Sequence, residues 1–169
     1  MDTSQAQRTA REKDNNDGRF YLTLAFLHIP LPEFGDPHLR IRNGHRRERS
    51  ECPSVNSHFY DALAKGGVSA LGCGHDHVND FCALLSQQTQ QDSDKLPGPW
   101  LCYGGGSGFG GYCSYGGMRF HRRTRVWELD TSTGSLKTWK RIEYATDRVD
   151  ELVLVESGAV VDPSREEDI

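Results

Sequence analysis

The sequence predicts an α/β fold, and three observations carry that reading. Phe20 to Leu27 is rich in strand formers with little polarity on either face, as in a strand covered on both sides of a sheet. Val68 to Cys73 repeats the pattern after a helix-compatible run, so strand, helix and strand form a βαβ unit with parallel strands. Toward the carboxyl terminus, Arg123 to Leu129 and Ser135 to Arg141 alternate in polarity around Asp130-Thr-Ser-Thr-Gly134, the pattern of a hairpin.

Taken in order, Thr3 to Lys13 favours helix but offers Ala6 and Ala10 as almost its only apolar positions, so it has no stripe with which to dock. It reads as the tail of something longer, and Asp14 to Gly18 reads as a turn. The stretch from Ile29 to Pro53 holds Pro30, Pro32, Pro37, Gly35 and Gly44 and reads as one long irregular loop. Ser54 or Ser57 is expected to cap a helix through Phe59 to Lys65, which Gly66 and Gly67 end. Gln87 to Asp94 is polar, Trp100 to Tyr103 is a further short strand, and Gly104 to Gly117 is dominated by glycine. A second hairpin is expected from Glu151–Val155 through Ser157-Gly158 to Ala159–Val161.

At 169 residues the chain is long enough for one domain with a core and too short for two. The 24 acidic and 20 basic residues leave a formal net charge of −4, so the overall field favours neither nucleic acid nor an anionic membrane as a partner. Five cysteines without a C-x-x-C pair argue against a disulfide framework and a thiolate zinc knuckle. Reduced thiols in an intracellular, cytoplasmic protein are expected. No apolar run approaches the roughly 18–20 residues of a spanning helix.

The chemistry concentrates in Gly74-His75-Asp76-His77 and in His28. On an extended backbone, residues i and i+2 point to the same side, so His75 and His77 would share a target while Asp76 faces away. If the strands before them are parallel, His28 joins them at the carboxyl edge of the sheet, where α/β folds bind ligands. Three imidazoles there suit zinc, iron, manganese or nickel better than magnesium or calcium. A strand-end histidine taken by itself is more often a solvated or hydrogen-bonded side chain than a ligand.

The combination "LAFLHIPLPEF", "GHDHVNDF" and "WLCYGGGSGFGGY" resembles the calcineurin-like metallophosphoesterases, in particular the fungal phosphatases of that superfamily, over roughly Phe20 to Arg141. The resemblance implies a partial αββα sandwich, with a mixed sheet and a C-terminal β-hairpin region. It divides the chain into a remnant helix and turn at 1–18, the C-terminal half of a phosphoesterase domain at 19–162 and an acidic tail at 163–169. It also implies two divalent ions, manganese, iron or zinc, with His28 and His75 on one and His77 on the other. The implied function is phosphoric ester hydrolysis on a phosphate-ester substrate, phosphoproteins included.

The family's earlier motifs, Asp-x-His, Gly-Asp-x-x-Asp and Gly-Asn-His, do not precede His28. Asp36-Pro37-His38 fits the first only by letters, after the lone histidine and among prolines. Three imidazoles without a carboxylate cannot neutralise two divalent ions, so this chain is expected to bind at most one ion, weakly, and to hydrolyse esters poorly or not at all. No catalytic or substrate-binding residue is assigned. Two alternatives stand beside this reading: a mononuclear three-histidine zinc hydrolase or hydratase, and a non-catalytic binding module.

Other signals point elsewhere less well. Gly106 to Gly111 matches G-x-G-x-x-G, but no helix-forming run follows, so a dinucleotide site is not expected. The arginines at 40–49 and 119–125 read as a solvated surface. Cys73, Cys82 and Cys102 read as buried apolar side chains.

Overall fold

The computed structural model describes residues 18–85, 98–109 and 120–163. Two sheets face one another. The first has strand order β1 (Thr23–Leu27), β3 (Val68–Cys73), β5 (Trp100–Tyr103), β4 (Cys82–Leu85), β2 (Leu39–Asn43). The second is an antiparallel meander of β6 (Arg123–Asp130), β7 (Ser135–Ile142), β8 (Val149–Glu156) and β9 (Ala159–Val160). In the first sheet β1, β3 and β5 are parallel, whereas β4 runs antiparallel to both β5 and β2. The result is the mixed α/β arrangement of a partial phosphoesterase sandwich with a C-terminal antiparallel sheet.

Every residue of β3 is buried because both faces of the first sheet are covered. On one face Leu71, Cys73, Leu101 and Tyr103 pack with Phe34, Phe81 and Tyr60, the last from α1 (Phe59–Lys65). On the other, Ala70, Trp100 and Cys102 meet Leu136, Leu154 and Val155 of the second sheet. The Trp100 indole donates to the Leu154 carbonyl at 2.9 Å, which ties the sheets together.

The expected β1–β3 parallel pair is present, with Leu27 opposite Cys73. Full coverage of β1 is not: it lies at the end of the sheet, and Phe26 is 63% exposed with its ring edge against Trp127. Apolarity on both faces of the segment had no way to reveal which strand would be last.

The span from Ile29 to Pro53 is more ordered than its prolines suggest. It holds a 3-10 turn at Pro32–Gly35 and the strand β2. Alternation in Leu39-Arg-Ile-Arg-Asn43 is the strand signal, hidden by arginine. The four-residue β4 is likewise too short to register alone and is defined by its partners. Helix α1 begins from His58 in the left-handed region (φ 58°), not from Ser54 or Ser57, and Asn56 Oδ1 accepts the His58 N–H at 2.8 Å. Its carboxyl end follows expectation, with Gly67 at φ 78°.

Cysteine pairing is a further correction. Cys82 and Cys102 sit directly opposite one another on antiparallel β4 and β5 and form a disulfide, with Cα atoms 4.1 Å apart. Register places both side chains on one face, and register is invisible in cysteine spacing. Cys52 and Cys73 are free thiols.

Both hairpins form as read. Asp130 Oδ1 accepts the backbone N–H of Ser132 at 2.8 Å and of Thr133 at 3.3 Å, and Gly134 closes the turn at φ 70°. The Ser132 hydroxyl, which donates to the same oxygen at 2.5 Å, and these backbone bonds hold the Asp130 carboxyl down at about 2. Ser157 and Gly158, both at positive φ, join β8 to β9 as a two-residue turn. The predicted helix at Thr3–Lys13, the polar segment 87–94, Cys113 and most of the glycine-rich run lie outside the described residues, as do the segments 1–18 and 163–169 except at their inner ends. Among the described residues no helix is long and apolar enough to cross a membrane, which says nothing of a β-barrel.

Candidate functional site

Three parallel strands end side by side. Gly74 donates its N–H to the His28 carbonyl at 3.2 Å, and Gly104 donates to the Cys73 carbonyl at 2.8 Å, so the chain just beyond β1, β3 and β5 is laced into one rim. There the rings of His28 and His75 meet, with centroids 5.4 Å apart and planes at 79°. Two of the predicted residues are thus brought together by parallel register.

The H-x-H run is not extended. Asp76 N–H donates to Gly74 O at 2.8 Å across His75, whose φ is 69°. That is a γ-turn of positive φ, a strained conformation that costs about 1–3 kcal/mol and persists only when its surroundings impose it. A further turn follows, in which Asn79 N–H donates to Asp76 O at 3.2 Å. Alternation therefore does not govern this segment, and Asp76, expected to face away, is instead the inward anchor. His77 is half-buried in the turn. Among the described residues no group of three or more His, Cys, Asp or Glu is placed to hold a metal ion.

The surroundings that impose the turn come from the arginine-rich loop. Asp76 accepts the Glu51 N–H at 3.2 and 3.4 Å on its two oxygens. Asn79 Oδ1 accepts the N–H of Arg47 at 2.8 Å and of Glu48 at 3.1 Å, and Asn79 Nδ2 donates to Glu48 O at 3.2 Å. Asp80 Oδ1 accepts the His45 N–H at 2.8 Å. All three side chains are buried, and each satisfies main-chain donors that would otherwise be orphaned. Nothing local in the sequence assigns them this role; the available signal is three short acceptors in the five residues from Asp76, the middle of H-x-H, to Asp80.

Asp80 also joins the two sheets. Its carboxylate meets Arg47 at 2.8 Å, Arg123 of β6 at 2.5 Å and Lys140 of β7 at 3.1 Å, while Lys140 also pairs with Asp150. Burial alone would raise the Asp80 carboxyl, but Lys140, Arg123, Arg47 and the His45 N–H together hold it far below the ordinary carboxylate range. Arg125 donates to the carbonyls of Tyr103 at 2.9 Å and Asp80 at 2.7 Å. Burial lowers its guanidinium to about 10, against the opposing pull of Asp80 and Asp150. Arg123 and Arg125 are each only 7% exposed, so for these two the reading as solvated surface is corrected: the alternation of β6 points them inward.

Burial, then the neighbouring Asp76, push the Cys73 thiol well above its usual range, which leaves it a packing residue and not a nucleophile. Burial and the bond to Asp76 likewise keep the Tyr103 phenol protonated. A cleft of about 400 Å³ adjoins the rim, lined by Phe26, Leu27, Cys73, Gly104, Arg125 and Trp127 among others. A larger one, about 710 Å³, lies along the arginine-rich loop between Arg46, Arg49, Glu33 and Asp36, and none of the three candidate histidines lines it.

The two imidazoles that meet at the rim are donors of the kind a transition-metal ion takes, and among the described residues no third ligand joins them. Both nearby carboxylates are already engaged, Asp76 by Tyr103 and Asp80 by cations, so neither can bridge a metal pair without giving up its partners.

No protein-family model matches the chain, and no solved structure matches it. Among curated proteins it is 40% identical over 131 residues to Probable inactive purple acid phosphatase 29 of Arabidopsis thaliana, covering 71% of this chain and 30% of that protein. It is 37% identical over 129 residues to Phosphatase DCR2 of Saccharomyces cerevisiae, covering 72% of this chain and 21% of that one. Probable inactive purple acid phosphatase 28 of Arabidopsis thaliana is 38% identical over 146 residues, or 80% of this chain and 33% of its own length. The chain therefore spans a third or less of these relatives and aligns with their C-terminal part. With the histidine rim on a mixed sheet and this consistent kinship, the chain belongs to the calcineurin-like metallophosphoesterase superfamily.

Proposed function

We propose that this chain supplies the histidine side of a metal-dependent phosphoric ester hydrolase centre, with His28, His75 and His77 as ligands. The observation that supports it is the meeting of His28 and His75 at the ends of adjacent parallel strands. Divalent ions held there would polarise phosphoryl oxygens and lower the pKa of bound water. The protein's own part is to fix imidazole direction through the rim hydrogen bonds. The substrate class is a phosphate ester, phosphoproteins included, and the metal is manganese, iron or zinc. By itself the chain holds at most one ion, weakly, and turns over little or no ester, because the carboxylates near the rim are engaged elsewhere.

Titration of the 169-residue chain with Zn²⁺ and Mn²⁺, followed by calorimetry and histidine-ring NMR, tests this reading, alongside a p-nitrophenyl phosphate assay. The expected result is at most one weakly held ion, perturbation of the His28 and His75 rings, loss on His28→Ala or His75→Ala, and negligible hydrolysis. Rings indifferent to both metals would overturn it. One tightly held zinc that depends equally on all three histidines would favour the mononuclear alternative instead.

A non-catalytic role is the second reading. Two Arabidopsis relatives carry "inactive" in their names, and the engaged state of Asp76 and Asp80 supports it.

A further inference from the structure

We infer that Asp76 and Tyr103 form a positioning clamp that holds His75 in its positive-φ turn, and with it the direction in which the imidazole faces His28. The metal consequence rests on the proposal above; the conformational one does not.

Tyr103, the last residue of β5, donates its hydroxyl to Asp76 Oδ2 at 2.5 Å. The same oxygen takes the Glu51 N–H at 3.2 Å. Asp76 is 2% exposed, so its charge has these donors in place of water, and a bond from a phenol to a buried carboxylate is of the strong, charge-assisted kind. Tyr103 itself is fully buried, with its ring held edge-on between Phe34 and Phe81, each at a centroid distance of 5.0 Å. A ring fixed by two aromatic neighbours on a central strand gives the hydroxyl a fixed position. That position determines where the Asp76 side chain lies, and Asp76 N–H closes the γ-turn over His75.

Without the clamp the restraint closest to His75 on its positive φ is gone, and His75 is expected to relax toward negative φ. Its ring would then leave the neighbourhood of His28. Carboxylates that orient metal-binding histidines usually do so by accepting the ring N–H directly. Here the lever is the backbone of the adjacent residue.

The test uses the full chain with Tyr103→Phe, which removes only the hydroxyl, and Asp76→Asn, which keeps the shape but not the charge. Leu154→Ala is the control, since it opens the core on the opposite face of the first sheet and touches neither clamp residue. Positive φ produces a strong intraresidue amide-to-Hα cross-peak in NOESY spectra. That peak at His75 is expected in the parent chain and in Leu154→Ala, and weakened or lost in both clamp variants. Zn²⁺ affinity is expected to fall roughly 10–100-fold in the clamp variants, but to change little in Leu154→Ala even where its melting temperature falls as far. An unaltered His75 cross-peak in Tyr103→Phe, or in Asp76→Asn should the first variant not fold, would overturn the inference. If the parent chain binds no zinc while the cross-peaks behave as described, the clamp stands and the metal reading falls.

Discussion

Lys140 of β7 and Asp80, in the turn beyond β3, meet at 3.1 Å with both side chains withdrawn from solvent. They bridge the two sheets, and Arg47 and Arg123 close on the same carboxylate. Removing that carboxylate leaves three cations with a shared partner missing, so Asp80→Asn is expected to destabilise the fold by about 3–5 kcal/mol. Urea denaturation of the two chains at neutral pH measures it, and a loss under about 1 kcal/mol would show that the network is dispensable.

The same carboxylate sets an acid dependence. Its folded-state pKa is depressed, so its contribution is complete above the unfolded-state value of about 3.9 and is lost as pH falls from there toward the folded value. The stability gap between parent and Asp80→Asn is therefore expected to stay level from neutral pH down to about 4 and to shrink below it. A gap that closes between pH 7 and 5 would assign the effect to another group.

Gly44 lies at φ 76°, and a Cβ there would fall 2.3 Å from the Asp80 carbonyl oxygen. Both conformation and space forbid a side chain. Gly44→Ala is expected to cost more than about 1 kcal/mol, because relief requires backbone movement at Asp80. A thermal melt unchanged from the parent would contradict this placement of the loop.

The Cys82–Cys102 disulfide closes a sequence separation of 20 residues. Its removal by Cys82→Ala with Cys102→Ala is expected to lower stability by about 2–4 kcal/mol under non-reducing conditions. The double variant should melt identically with and without dithiothreitol, whereas the parent should lose stability in it. Alkylation mass spectrometry of the unreduced parent should find Cys82 and Cys102 blocked and Cys52 and Cys73 reactive after unfolding.

His75 is strained where it stands, so His75→Gly separates stability from ligation. The apo chain is expected to gain up to about 1 kcal/mol, while Zn²⁺ binding falls to the level of His28→Ala. A glycine variant less stable than the parent would show that imidazole packing at the rim outweighs the strain of the turn.

Some of this architecture is plain in the letters. The parallel β1–β3 pair follows from two apolar runs around a helix, and both hairpins follow from turn residues between alternating segments. The position of His28 relative to His75 follows in turn, because parallel strands put their carboxyl ends on one edge. Strands β2 and β4 are not legible in this way: Leu39–Asn43 is masked by arginines and Cys82–Leu85 is four residues long, and each is defined by its pairing, β2 with β4 and β4 with both β2 and β5. The roles of Asp76, Asn79 and Asp80 were equally hidden, since their partners are main-chain donors some 25 to 35 residues away.

By itself, the sequence determined the β1–β3 pair, the helix between them, both hairpins, the kinship and the common edge of His28 and His75, because these depend on local propensity, periodicity and chain direction. Only the tertiary structure decided that the H-x-H run is a γ-turn and not a strand end, that Cys82 faces Cys102, and that arginines of β6 point inward to Asp80. Each of those depends on register between distant segments and on the need of every buried donor, acceptor and charge to find a partner, conditions that no local stretch of residues contains.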